Sequence, residues 1–237
     1  AGFLGVSGSL IRLIWIRETF AKPPKTVGTA NVEKPSIRFP HLDSDLRLLM
    51  IVASMMGFVY GVMFPYVPVF ATEILKISKF ELGLMFSASS FAQFMISLPA
   101  GKIIRKFGTR KLMTLSTISS SALIIPWIYS PSIYFAICIY TLTGIFTQIF
   151  NIANQTLTSN LTSIQSRAST IGLITTISGL VGAIAPYVGS LIWIRINPQS
   201  AFFLVTVVGL LTSIPLTAIK ERVIVEKDSG SRLEASN

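Results

Sequence analysis

Six stretches of this chain are each long and apolar enough to cross a bilayer, and they decide its class. They run near 48–71, 82–104, 112–130, 132–155, 169–194 and 201–219. The hydrocarbon core of a membrane is about 30 Å thick, so a helix needs about 20 apolar residues to span it. Strands are a poor alternative, because barrel strands are about 10 residues long and alternate in polarity. All ten acidic residues lie outside the six stretches, as the cost of a charge in hydrocarbon requires. Only 13% of the 237 residues are charged and 51% are apolar, whereas soluble domains carry about a quarter charged residues. That balance excludes a disordered chain, a nucleic-acid-binding domain with a basic skin, and most soluble enzymes. The expected fold is all-α: a polytopic membrane helix bundle of six transmembrane helices, with the lipid bilayer as its surroundings. The single cysteine, Cys138, excludes a disulfide framework and a multi-cysteine metal site. No metal, no other cofactor and no nucleic acid is expected.

The segments outside the spans set the organisation. Residues 1–16 are apolar as far as Arg12, too short to cross, and read as the end of a transmembrane helix that begins upstream. Residues 17–47 form a polar linker interrupted by Pro23, Pro24, Pro35 and Pro40. The six-helix domain follows over 48–219, and 220–237 is a charged tail. With the linker on one side, that side carries seventeen Lys and Arg residues, and the other carries only Lys76, Lys79 and Arg195. Basic loops stay in the cytoplasm. The linker and tail are therefore expected there, in a multi-pass protein of the cell membrane.

Polar residues within the spans point to a solute path. On a helical wheel Thr141, Gly144, Thr147, Gln148, Asn151, Asn154, Gln155 and Thr158 share one arc of the 132–155 helix. An amide in hydrocarbon costs several kcal/mol unless it is hydrogen-bonded. This face therefore meets water, a ligand or another polar helix. Thr141, Gln148 and Asn151 are the cavity candidates of this helix. Gln93, in a stripe of small residues on 82–104, is a fourth, and Tyr60 on 48–71 a fifth. Pro65 and Pro68 predict a kinked or broken helix near Tyr60. Gly179, Gly182, Pro186 and Gly189 on 169–194 predict close helix packing and a bend. The spans 112–130 and 201–219 offer only hydroxyls, which can bond their own helix, and read as outer helices facing lipid.

The stretch Gly101-Lys-Ile-Ile-Arg105-Lys106-Phe-Gly108-Thr-Arg110-Lys111 resembles the loop signature of the major facilitator superfamily. There it joins the second and third helices of each six-helix half and acts as a gating loop. Gly101, Lys106, Gly108, Arg110 and Lys111 match, and Arg105 stands where the family prefers Asp. Ala185-Pro186-Tyr-Val-Gly189-Ser190 resembles a signature of the family's antiporters. Trp15-Ile-Arg17-Glu18-Thr19 resembles the end of the sixth helix. The resemblance covers essentially 1–222. It implies the C-terminal half of a transporter: six helices built as 3+3 repeats, behind the end of helix six and the central loop, in a multidrug-efflux-like or sugar-transporter-like branch. A missing N-terminal six-helix half would be the partner.

The function expected is transmembrane transport of a small organic solute by alternating access. The aromatic and amide lining favours a neutral, amphipathic or drug-like substrate. No span holds Asp, Glu or His, so a proton-coupling group is expected in the N-terminal half. The alternative is a transport-inactive membrane scaffold or sensor that keeps the fold. An enzyme is not expected, since no acid–base pair or activated nucleophile lies in the membrane.

Overall fold

A computed structural model of the chain describes residues 44–162 and 167–219. The expected truncated leading helix (1–16), nearly all of the linker, and the tail (220–237) lie outside the described residues. All regular structure among the described residues is helical. Six helices are long and apolar enough to span: α1 (Ser44–Ile74), α2 (Lys79–Phe107), α3 (Thr109–Ile128), α4 (Ile133–Leu161), α5 (Arg167–Arg195) and α6 (Pro198–Ala218). Most run a few residues beyond the apolar stretches into the polar flanks, because the backbone ladder does not stop where the hydrocarbon does.

The helix ends are written locally. Ser78 caps α2 in a reciprocal box: its hydroxyl accepts from the Glu81 N–H at 3.3 Å, and the Glu81 carboxylate accepts from the Ser78 N–H at 2.8 Å. Ser132 accepts from the Phe135 N–H and starts α4. Asn197, followed by Pro198 at the first helical position, accepts from the Ser200 N–H and starts α6. Between α2 and α3 stands one residue, Gly108, with φ 84° and ψ 141°. An L side chain held in such a conformation costs on the order of 1–3 kcal/mol, so glycine is required there.

The prolines of α1 do not break it. The α-helix runs through Pro65 and Pro68 to Val69 and is followed by a π-helical turn over Phe70–Ile74. The Thr72 hydroxyl donates to the Pro68 carbonyl at 3.0 Å there. Likewise α5 continues unbroken through Pro186. The interruptions fall instead in α3, at Leu123, and in α6, at Thr212. Each comes after 14 helical residues and three residues before a proline, Pro126 or Pro215. Each proline lacks an N–H for the carbonyl four residues back.

Packing follows the 3+3 scheme. α1 lies most extensively on α5, and α2 on α4; α3 also packs on α4, and α6 on α1. Exchanging α1–α3 with α4–α6 turns each of these pairings into another. The shared interruption of α3 and α6 obeys the same exchange.

α3 and α6 keep exposed apolar faces, with Leu115 and Ile118 on α3 and Val207, Leu211 and Ile214 on α6, but their other faces are well covered within these six helices. α3 and α6 are the most buried spans, at 44% and 39% of their central stretch, against 11% for α2 and α5. Thr206, on the span expected to face lipid, is buried with Phe202, Val205 and Gly209. The hydroxyls of α3 and α6 do bond their own helix: Ser116 to the Leu112 carbonyl, Thr117 to Met113, Thr206 to Phe202. That self-sufficiency lets them pack inward as readily as outward.

Candidate functional site: a cavity between four helices

A cavity of about 550 Å³ opens between α1, α2, α3 and α4. α1 contributes Met56, Val59, Tyr60, Met63, Phe64, Val67 and Pro68; α2 contributes Phe86, Ser89, Ser90 and Gln93. α4 contributes Tyr140, Thr143, Gly144 and Thr147, and α3 closes the space with Ser120, Ser121 and Ile124. The volume lies within the range of small-molecule sites, and so does the chemistry: mostly apolar walls with a few convergent polar groups. Among the described residues no Asp, Glu, Lys, Arg or His lines it. The mouth is marked by exposed Tyr60, Phe64 and Ser90, whereas Ser120, Ser121 and Ile124 are buried.

The α2–α4 wall is built on small residues. A Cβ at Gly144 would collide with the Ser89 hydroxyl and come within 3.2 Å of the Gln93 amide nitrogen. That nitrogen donates to Ser89 Oγ at 3.3 Å. Among the described residues the Gln93 amide oxygen and the Tyr60 hydroxyl have no hydrogen-bond partner. Both are therefore open to a solute. At one end Tyr140 leads into a ring cluster, its centroid 6.0 Å from Trp127, which lies 5.5 Å from Phe70.

At the α2–α3 junction, where the sequence predicts a loop, Arg105 and Lys106 belong to the last turn of α2 and Lys111 to the first turn of α3, all with exposed side chains, and the Lys106 ammonium lies 5.6 Å from the Phe107 ring. Gly101, one turn earlier, faces open space. Gly108 alone of the two motif glycines is demanded by local geometry.

The family model of the Major Facilitator Superfamily matches residues 49–234. The chain belongs to the Major Facilitator Superfamily. It is thus a secondary transporter of the major facilitator type, a multi-pass membrane protein that works on a small-molecule substrate across a lipid bilayer. No curated protein matches the chain.

Within this Major Facilitator Superfamily bundle the five cavity candidates divide. Tyr60 and Gln93 line the cavity; Thr141, Gln148 and Asn151 do not. Gln148 reaches sideways, its amide nitrogen donating to Ser97 Oγ on α2 at 2.9 Å. Ser97 in turn donates to the Gln93 carbonyl at 2.7 Å. Thr141 Oγ1 is buried with no partner. The polar arc of α4 is thus split: Gln148 turns towards α2, whereas Gly144 and Thr147 line the cavity beside Tyr140 and Thr143.

The packing candidates divide too. Gly182 and Gly189 meet α1 closely: a Cβ at Gly182 would stand 3.1 Å from the Gly57 carbonyl oxygen, and one at Gly189 2.8 Å from the Tyr66 ring. Gly179 faces open space. The Pro186 carbonyl accepts the Tyr66 hydroxyl at 3.0 Å, so Tyr66 is a packing residue of the α1–α5 seam. Sequence reasoning missed the α3 floor and Tyr140. The spacing Tyr140, Gly144, Thr147 was the available signal for the latter.

Proposed function

We propose that this chain forms one six-helix half of a transporter that moves a small, uncharged, amphipathic organic solute by alternating access. The observation that carries the reading is the cavity of about 550 Å³ whose lining is hydroxyl, amide, ring and alkyl with no charged side chain. A fixed ion on a solute would have to shed water there without a counter-charge, which costs far more than a hydroxyl or amide does. Tyr60 and Gln93 are the polar contacts we assign to the solute. The low burial of α2 and α5 supports a second six-helix half against them. Efflux from the cell is the direction we favour, with the antiporter-like stretch at Ala185–Ser190 as its support.

Full-length transporter in proteoliposomes should take up neutral aromatic amides saturably, and size-matched carboxylates and amines much more slowly. Binding without protein-dependent flux for every solute would reject transport in favour of a sensor or scaffold.

We also place the α2–α3 loop, the linker and the tail in the cytoplasm of a cell-membrane protein, on the strength of the seventeen-to-three bias in Lys and Arg. A cysteine introduced at Lys106 should react with an impermeant maleimide only after the membrane is opened. Labelling in intact cells would reverse the orientation.

A further inference from the structure

The deep end of the cavity belongs to α3, a helix whose sequence offers no amide or aromatic to the membrane interior before Trp127. We infer that Ser120, with Ile124 beside it, forms a floor that sets how long an apolar solute tail the cavity accepts. The inference rests on the transport reading above for its biological meaning, though not for its test.

Three observations carry it. First, Ser120 and Ile124 line the cavity yet are only 8% and 5% exposed, so whatever exposure they have is offered from inside. Second, Ser120 has already spent its polarity. Its Oγ donates to the Thr117 carbonyl at 3.2 Å, and the neighbouring Ser121 hydroxyl is pressed against Gly209 of α6. A self-bonded hydroxyl beside an isoleucine recognises shape and apolar area rather than charge. Third, the unpartnered acceptor of Gln93 and the hydroxyl of Tyr60 belong to α2 and to the mouth side of α1. A solute with one polar head and one apolar tail has a head site there and a tail site on α3.

Ser121 is the wrong lever for a test, because any enlargement there pushes on α6. Ser120 lines the open space, and its enlargement shortens the floor while leaving the Gln93 and Tyr60 side chains themselves unchanged. Truncating Ile124 does the reverse.

The experiment uses full-length transporter in lipid nanodiscs and para-alkylbenzamides with tails from methyl to octyl. Binding is read by calorimetry against empty nanodiscs. In the unmodified protein affinity should rise about fourfold per methylene and then fall once the tail meets the floor. Ser120→Leu should move that maximum to a shorter tail, and Ile124→Ala to a longer one. Leu115→Phe, on the exposed face of the same helix, should leave it in place. Opposite displacement by the two floor variants cannot come from a general loss of folding. Should Ser120→Leu fail to fold, the Ile124→Ala displacement decides alone. A maximum at the same tail length in every folded variant overturns the floor, even where the benzamides are transported. A displaced maximum in a protein that carries out no flux upholds the floor and rejects the transport reading instead.

Discussion

Gly57→Ala and Gly61→Ala are each expected to lower the stability of the folded bundle by about 1–3 kcal/mol, whereas Gly179→Ala should leave it unchanged or raise it slightly. The first two glycines face the backbone of α5. A Cβ at Gly57 would run into the Ser178 carbonyl oxygen, and one at Gly61 into the Gly182 carbonyl oxygen and, at 2.8 Å, the Ala185 methyl. Backbone atoms cannot rotate away as a side chain can, so the helices must separate. Separation loosens the whole seam, including the Tyr66–Trp193 ring contact at 5.1 Å. Around Gly179 there is nothing within 4 Å, and alanine there gains helix propensity, roughly 0.5–1 kcal/mol. Thermal unfolding of the purified protein with each variant checks the contrast. Equal midpoints for Gly57→Ala and Gly179→Ala would show that α1 and α5 do not meet at this register.

Gln93→Leu is expected to reduce transport about ten- to hundredfold, the worth of one hydrogen bond between a buried amide and its ligand. Gln148→Leu should cost stability instead, on the order of 0.6–2 kcal/mol, with selectivity intact. Both residues are amides on neighbouring helices, and the same substitution keeps approximate volume in both. What differs is where the amide goes. Gln148 spends its nitrogen on Ser97 across the α2–α4 contact. Gln93 lines the cavity, holds its nitrogen on Ser89 and leaves its oxygen without a protein partner among the described residues. Initial rates against substrate concentration, together with unfolding midpoints, separate the two effects. Altered substrate preference in Gln148→Leu with normal transport by Gln93→Leu would reverse the assignment.

The six spans were legible because bilayer thickness imposes a length and charge cost imposes a boundary, and both act on residues one at a time. Direction around each helix was harder. Gln148 is long enough to reach either a cavity or a neighbour, so its polarity marked the face without saying what the face meets. The serines and threonines of α3 carried less still. A hydroxyl bonded to its own carbonyl is equally content against lipid, against protein or on a cavity floor. That is why the α3 span reads as lipid-facing although Ser120 lines the cavity. Gly57-Phe-Val-Tyr-Gly61 has the small-xxx-small spacing of a close helix contact. The pattern announces a contact but not its partner, which lies more than a hundred residues along the chain. The prolines say as little about continuity. A missing N–H frees only the carbonyl four residues back, Gly61 or Phe64, and the rest of the ladder carries α1 past it without a break.

Gly108 has a mechanical meaning beyond its backbone angles. A connection of one residue is a pin joint: Cα atoms on either side of it are held about 3.8 Å from the pin, so there is no slack, while the glycine leaves the angle between the rods adjustable. Any travel of the end of α2 is handed to the start of α3 undiluted. From Gly108 to Ser120 is twelve residues, about 18 Å of helix. α3 is therefore a connecting rod with the basic loop at its pin and the cavity floor on its shaft. Arg105, Lys106, Arg110 and Lys111 all stand within three residues of that pin.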